Sequence, residues 1–447
     1  MDLTKGDLAK HIRRIAIPAS IGFFFNTMYN VVDTFYAGQV STDALAALSI
    51  SFPIFFIILA LGSGISQGAT TLISNALGEG QKKKAQSYIH QGMSFSLITA
   101  IVLTTFGLLL APYAFQILGA EGQYLDMALE YMNTILFGGL FFLMVQMGMA
   151  PQLAVGNTKV FRNMLIAGFF LNLVLDPWFM YGGFGLPAMG IRGIALATVV
   201  IQILGTLYAY FYLARSDLWT KLNWRSLIPK KRVFKEIAEQ GFPSSLNMMS
   251  VAVGVFLITF FVSQYGSDAV AAFGIATRVE QIAVLPVIGL NMALVSVVGQ
   301  NNGAKKFDRI EQSRYIALRY GFILAVVGGI FAFGTARPLM EMFADKANVV
   351  EIGMSYLKII APTFFGFMVF SQNAAMLRGL KRPFIAMWTT LVRQVLFPMI
   401  ILSIVVFGFD LGTVGIWWGL HVNIWLVALL AFLLGTLVLK KREATAE

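Results

Sequence analysis

Asp33 stands in an apolar stretch with Asn26 and Asn30 before it and Tyr29 and Tyr36 beside it. In an α-helix the spacing i, i+4, i+7 puts Asn26, Asn30 and Asp33 on one face. A second apolar stretch carries Asn172 and Asp176, four residues apart, and a third carries Thr198 and Gln202 at the same spacing. An ionised aspartate inside a bilayer costs at least about 2.5–3.5 kcal/mol on insertion scales, so a purely structural role would use something cheaper. Two carboxylates with amide and hydroxyl oxygens form a hard ligand set. It suits a carried proton or Na⁺ and not a soft transition metal. The same oxygens serve both ions, so the expected bound ion is H⁺ or Na⁺ and no other cofactor is implied.

Each of these residues has a plainer reading. Asp33 could be a structural group paired with an arginine or with amides. Asp176 precedes Pro177 near a helix end. Asn172 and Thr198 could serve interhelical hydrogen bonding. Gln146 lies in a Met-rich run, Met144 to Met149, of the kind that makes adaptable binding walls but more often packs a core or faces lipid. Arg278 and Glu280 could pair with each other and fix helices, and Arg393 could snorkel or line a cavity.

The elements that position these residues follow from composition. Of 447 residues, 57% are hydrophobic and 12% charged, with a mean hydropathy of +0.74. Soluble domains carry about 25% charge. The balance excludes a soluble enzyme, a disordered chain and a nucleic-acid module. With about 20 apolar residues per span, the chain holds twelve spans near 13–37, 48–77, 90–115, 127–152, 161–182, 190–214, 241–264, 270–299, 315–336, 351–377, 384–408 and 412–439. The expected class is an all-α polytopic membrane protein. There is no cysteine, so thiolate chemistry and disulfides are excluded. The polar N-terminus does not read as a cleaved signal peptide.

With both termini in the cytoplasm, the inner segments collect 27 of the 33 basic residues, from Lys5 through Lys82–Lys84, Lys221 and Lys230–Arg232 to Arg442. The outer segments hold acids such as Asp43, Glu121, Asp268 and Asp410. This positive-inside pattern accounts for the net charge of +11 without nucleic acid.

The chain repeats itself at a shift of 225 residues. Pro18 falls on Pro243, Thr34-Phe35 on Thr259-Phe260, Asp43-Ala44 on Asp268-Ala269, Gly64 on Gly289 and Gly78 on Gly303. Later, with small gaps, Gly156 matches Gly379 and Pro177 matches Pro398. Six spans per copy give both copies one orientation, as in two bundles related by an axis along the membrane normal. The expected division is an N-lobe at 1–214, a cytoplasmic linker at 215–240 and a C-lobe at 241–447. Residues present in one copy only are candidates for function. Asp33 meets Ile258, Asp176 meets Phe397 through its proline, Arg278 meets Pro53 and Glu280 meets Phe55.

No Gly-x-x-x-x-Gly-Lys-Ser/Thr loop is present to drive transport with ATP. Neither a Gly-x-Ser-x-Gly elbow nor a His-Glu-x-x-His helix offers an enzyme's machinery.

Nearly the whole chain resembles the multidrug and toxic compound extrusion family. The resemblance rests on Pro18 with Asn30-Val31-Val32-Asp33-Thr34, on Asp43 to Leu48 and its second copy, on Gly64–Gly78 with Gly299-Gln300-Asn301-Asn302-Gly303-Ala304, and on Asn172 to Pro177. It implies two V-shaped six-helix lobes and export of cationic or amphipathic drugs in exchange for H⁺ or Na⁺. Asp33 matches the family's first-span acid, Asn172 and Asp176 its fifth-span partners, and Thr198 its sixth-span hydroxyl. Pro18 matches the proline that lets the first span bend in the branch of DNA-damage-inducible and archaeal members. The acid that another branch carries in the seventh span is absent from Ser244–Ser263. Tyr29 and Gln146 are expected in the cavity wall, with Asn26, Asn30, Tyr36 and Gln202 as further candidates. The expected protein is a monomeric secondary antiporter of the plasma (inner) membrane. The rival is a lipid-linked oligosaccharide flippase of the same two-lobe superfamily, whose pyrophosphate would require a central basic cluster. Arg278 and Arg393 are outnumbered by Asp33, Asp176 and Glu280. A symmetric channel fits poorly with acids confined to one copy.

Overall fold

A computed structural model describes residues 1–220 and 223–444. Lys221, counted above toward the inner face, lies outside the described residues. The described chain is helical, with one isolated bridge between Gly183 and Leu186. The first copy of the repeat builds α1 (Leu8–Val40), α2 (Thr42–Gly78), α3 (Lys82–Ile117), α4 (Gly122–Phe137), α5 (Gly139–Ala154), α6 (Thr158–Tyr181) and α7 (Gly190–Ala214). A short α8 (Trp224–Leu227) precedes the second copy: α9 (Lys231–Ser263), α10 (Ser267–Gly303), α11 (Phe307–Gly334), α12 (Ala336–Phe343), α13 (Ala347–Ile360), α14 (Phe364–Gly379), α15 (Pro383–Leu391), α16 (Phe397–Ser403) and α17 (Gly412–Ala444).

Among the described residues, eleven helices or joined helices are long and apolar enough to cross a membrane, and the bent pair α4–α5 makes twelve when counted as one span. Several run past the apolar runs that predicted them: α3 begins at Lys82, among lysines. Intrahelical hydrogen bonds remain satisfied beyond the hydrocarbon, so polarity alone does not end a helix. The fourth span bends by 44° at Gly138. A Cβ at Gly138 would lie 2.4 Å from Val199 Cγ2, so α7 packs against bare backbone there. Gly138 and Gly139 together provide the helix-breaking pair. The tenth span joins α13 to α14 through a 3₁₀ turn at Ala361–Thr363, where Pro362 lacks the donor that α-helical bonding needs. The eleventh span, from Pro383 to Gly408, carries two π-helical turns at Val392–Leu396 and Ile404–Gly408.

The chain forms two compact units. One holds Ile21–Ser245, the other Asp2–Ser20 together with Leu246 and the residues after it. The boundaries fall inside α1 and α9 and not in the loop at 215–240. In each helix the crossing comes two residues after the repeated proline, Pro18 and Pro243. The N-terminal part of α1 therefore packs in the second unit, where Leu3, Leu8, Ile12, Ile15 and Ala16 cluster with Leu290, Ala293 and Val297. The repeated glycines explain how closely these helices approach. A Cβ at Gly289 on α10 would lie 2.5 Å from the Ala16 carbonyl oxygen and 2.2 Å from Ser20 Oγ. A Cβ at Gly64 on α2 would lie 2.7 Å from the Gly241 carbonyl oxygen and 1.9 Å from Ser245 Oγ. The copies thus exchange the leading segments of their first helices.

Candidate functional site

The acids of the first unit are placed by a tight pair of helices. Gly193 on α7 abuts the backbone of Phe179 on α6, where a Cβ would come within 2.6 Å of the carbonyl oxygen. The turn between the two helices is closed by Met189 N–H donating to the Phe179 carbonyl at 3.1 Å. This packing buries Asn172, Asp176 and Thr198 on the facing sides of α6 and α7. The Ile21–Val40 part of α1 brings Asp33 to the same place, 8% exposed. Asn172 Nδ2 donates to Asp33 Oδ1 at 2.8 Å. The Asp176 carboxyl group lies beside that of Asp33. Tyr29 from α1 and Tyr131 from α4 stand close to both acids. Thr198 borders Tyr29 and donates its own hydroxyl to the Ile194 carbonyl at 3.2 Å.

Among the described residues, four buried oxygens here have no hydrogen-bond partner: both carboxyl oxygens of Asp176, Oδ1 of Asn172 and the Tyr29 hydroxyl. Buried polar atoms are almost always paired, and an unpaired one costs about 1–3 kcal/mol. Two adjacent carboxyl groups out of water cannot both carry charge without a compensating cation or proton. The arrangement gathers carboxyl, amide and phenol oxygens at one buried place.

The remaining candidates divide. Asn26 and Asn30 share Asp33's face but are exposed, and Asn30 Nδ2 donates to the Asn26 carbonyl of its own helix at 2.8 Å. Seven residues cover about 10.5 Å of helix axis, so a common face does not make a common pocket. Tyr36 packs with Ala37, Met180 and Ile194. Gln146 lies along α2, where a Cβ at Gly62 would meet its Cγ at 3.2 Å. Gln202 is half-buried, and its carbonyl accepts from Thr206 Oγ1 at 2.8 Å. Pro18 lies inside an unbroken α1.

In the second unit, the pairing of Arg278 with Glu280 is not formed among the described residues. Arg278 is exposed, and residues two apart on a helix point to different sides. Glu280 instead accepts from the Tyr356 hydroxyl at 2.5 Å. Arg393 stands over Phe367 and Phe370, its guanidinium carbon 5.2 and 5.0 Å from their ring centres.

Tyr131 is the site residue that sequence reasoning missed. The repeat itself could have found it, because Tyr131 and Tyr356 lie 225 residues apart and each faces its own unit's acid.

A family model described as MatE matches the chain twice, over residues 18–178 and 243–404. The probable multidrug resistance protein NorM of Thermotoga maritima is 27% identical over 437 residues, covering 94% of this chain and 90% of its own. The multidrug export protein MepA of Staphylococcus aureus is 25% identical over 443 residues, covering 96% of this chain and 94% of its own. A solved structure, described as the outward-facing conformation of a multidrug resistance MATE family transporter of the MOP superfamily, is 25% identical with a TM-score of 0.92. That likeness covers 99% of this chain and 98% of the other.

Proposed function

The chain belongs to the MatE family, and from that premise we propose a secondary active efflux antiporter that exports cationic and amphipathic compounds in exchange for H⁺ or Na⁺ by alternating access. The observation that carries the reading is the buried group of Asp33, Asn172 and Asp176, with the Asn172 Nδ2 to Asp33 Oδ1 bond at 2.8 Å and two unpartnered carboxyl oxygens on Asp176. Asp33 and Asp176 carry the coupling ion. Asn172 orients Asp33, and Tyr29, Tyr131 and Thr198 close the seat around it.

The mechanism is competition for one negative charge. When the acid pair holds H⁺ or Na⁺, its attraction for a cationic compound in the first unit is cancelled, and the compound leaves. When the ion departs on the other side, the charge returns and a new cation binds. The site needs two states of α1, and Pro18 supplies the weak point. It lacks an N–H donor and sits two residues before α1 passes from one compact unit to the other. The protein works as a monomer in the plasma (inner) membrane, and its basic inner segments support a placement of both termini in the cytoplasm.

Ethidium efflux from proteoliposomes, under a pH gradient or a Na⁺ gradient imposed separately, tests the proposal. Wild type should move the dye under one gradient, which names the ion, and Asp33→Asn should not. Failure of wild type under both gradients, or equal rates for the mutant, would remove the reading and make lipid flipping the next assay.

A further inference from the structure

The second unit contains a counterpart of the acid site in which an arginine joins the acid. At the 225-residue offset Asp33 corresponds to Ile258 and Tyr131 to Tyr356. Through the matched Pro177 and Pro398, Asp176 corresponds to Phe397 and Asn172 to Arg393. The tyrosine is kept, both aspartates are lost, and the amide that holds Asp33 is replaced by a guanidinium.

Arg393 is built into place. It lies in the π-helical turn Val392–Leu396, a form that often marks functional positions in a helix. Asn423 Nδ2 donates to its backbone carbonyl at 3.0 Å. α9 approaches this turn over bare backbone, since a Cβ at Gly254 would come 2.9 Å from Gln394 Cβ and 3.0 Å from the Gln394 carbonyl oxygen. Phe367 and Phe370 flank the guanidinium. Its Nε is buried without a hydrogen-bond partner among the described residues. Among the described residues no carboxylate lies within 4.0 Å of it. Glu280 is the acid whose charge reaches Arg393, and its carboxylate is held by Tyr356. A guanidinium offers five N–H donors in a fork that matches carboxylate or phosphate. A half-buried cation whose Nε has no partner is costly, and an anion is what relieves it.

We infer that this counterpart site binds the anionic group, carboxylate or phosphate, of an amphipathic small molecule, with Arg393 as its ligand and Phe367 and Phe370 as its apolar wall. The inference rests on the efflux reading for the class of molecule and assigns its anionic group to Arg393.

The test is equilibrium binding to the purified full chain of a fluorescent quinolone bearing an ammonium and a carboxylate, compared with its methyl ester. Wild type should bind the acid about tenfold more tightly than the ester, the scale of one charge-assisted hydrogen bond. Arg393→Gln should bring that ratio to about one, Arg393→Lys should leave it intermediate, and Glu280→Gln should raise it. Equal binding of acid and ester by wild type, or a wild-type ratio in Arg393→Gln, overturns the inference. If Arg393→Gln binds neither compound, the ratio in Arg393→Lys decides, and a wild-type value there overturns it. Loss of the acid preference when phosphatidylglycerol is added assigns the anion site to a lipid headgroup and also overturns it. Ethidium efflux reads the antiport proposal separately, since ethidium has no anionic group to engage Arg393.

Discussion

Asn172 and Asp33, 139 residues apart in the chain, meet through a single buried hydrogen bond of 2.8 Å. Asn172 spends its amide hydrogen on Asp33 and keeps its oxygen uncommitted beside Asp176, whose own oxygens are also uncommitted. One amide thus separates the roles of two acids: it gives Asp33 a donor and adds an acceptor to the seat.

Asn172→Leu should therefore affect both stability and coupling. Removing the donor leaves Asp33 Oδ1 buried and unpaired, at a cost of about 1–3 kcal/mol. Thermal melting of the purified protein should fall by a few degrees, and gradient-driven ethidium efflux should fall with it. A variant that melts and transports like wild type would mean that the bond orients nothing.

The glycine contacts predict an asymmetry in rescue. Gly64→Ala and Gly289→Ala should each cost about 1–3 kcal/mol from overpacking, read as a lower melting temperature. Ser245→Ala should recover part of the Gly64→Ala loss, because the nearest atom is Ser245 Oγ at 1.9 Å while the backbone oxygen of Gly241 is 2.7 Å away. Ser20→Ala should recover less for Gly289→Ala, where the Ala16 carbonyl oxygen is already within 2.5 Å. Equal rescue at both positions would contradict the packing.

Pro18→Ala and Pro243→Ala should restore an N–H donor at the places where α1 and α9 change unit. Both variants are expected to melt no lower than wild type, since an interior proline weakens a helix, and both should transport more slowly. Unchanged transport by either variant would deny that proline a hinge role.

Orientation can be read directly because the native chain has no cysteine. Lys83 and Glu121 are both exposed. In intact cells a membrane-impermeant maleimide should label Glu121→Cys and should label Lys83→Cys only after lysis. The reverse result would invert the topology.

The spans, the twofold repeat and the aspartates worth attention are legible in the order of amino acids alone. Those features are local or arithmetical: an apolar run long enough to cross a membrane, an offset of 225, an acid where apolar residues are cheaper. The tertiary structure decided which candidates meet. Asn26 and Asn30 satisfied the helical spacing and remain exposed, while Tyr131, on another helix, borders both acids. Glu280 turned to Tyr356 rather than to Arg278. The N-terminal part of α1 joined the second unit. Helical periodicity sets the direction of a side chain around its own axis, but not the height at which a neighbouring helix crosses or which helix that is. Those depend on where two backbones can approach, as at Gly64, Gly193 and Gly289, and only packing in three dimensions settles them.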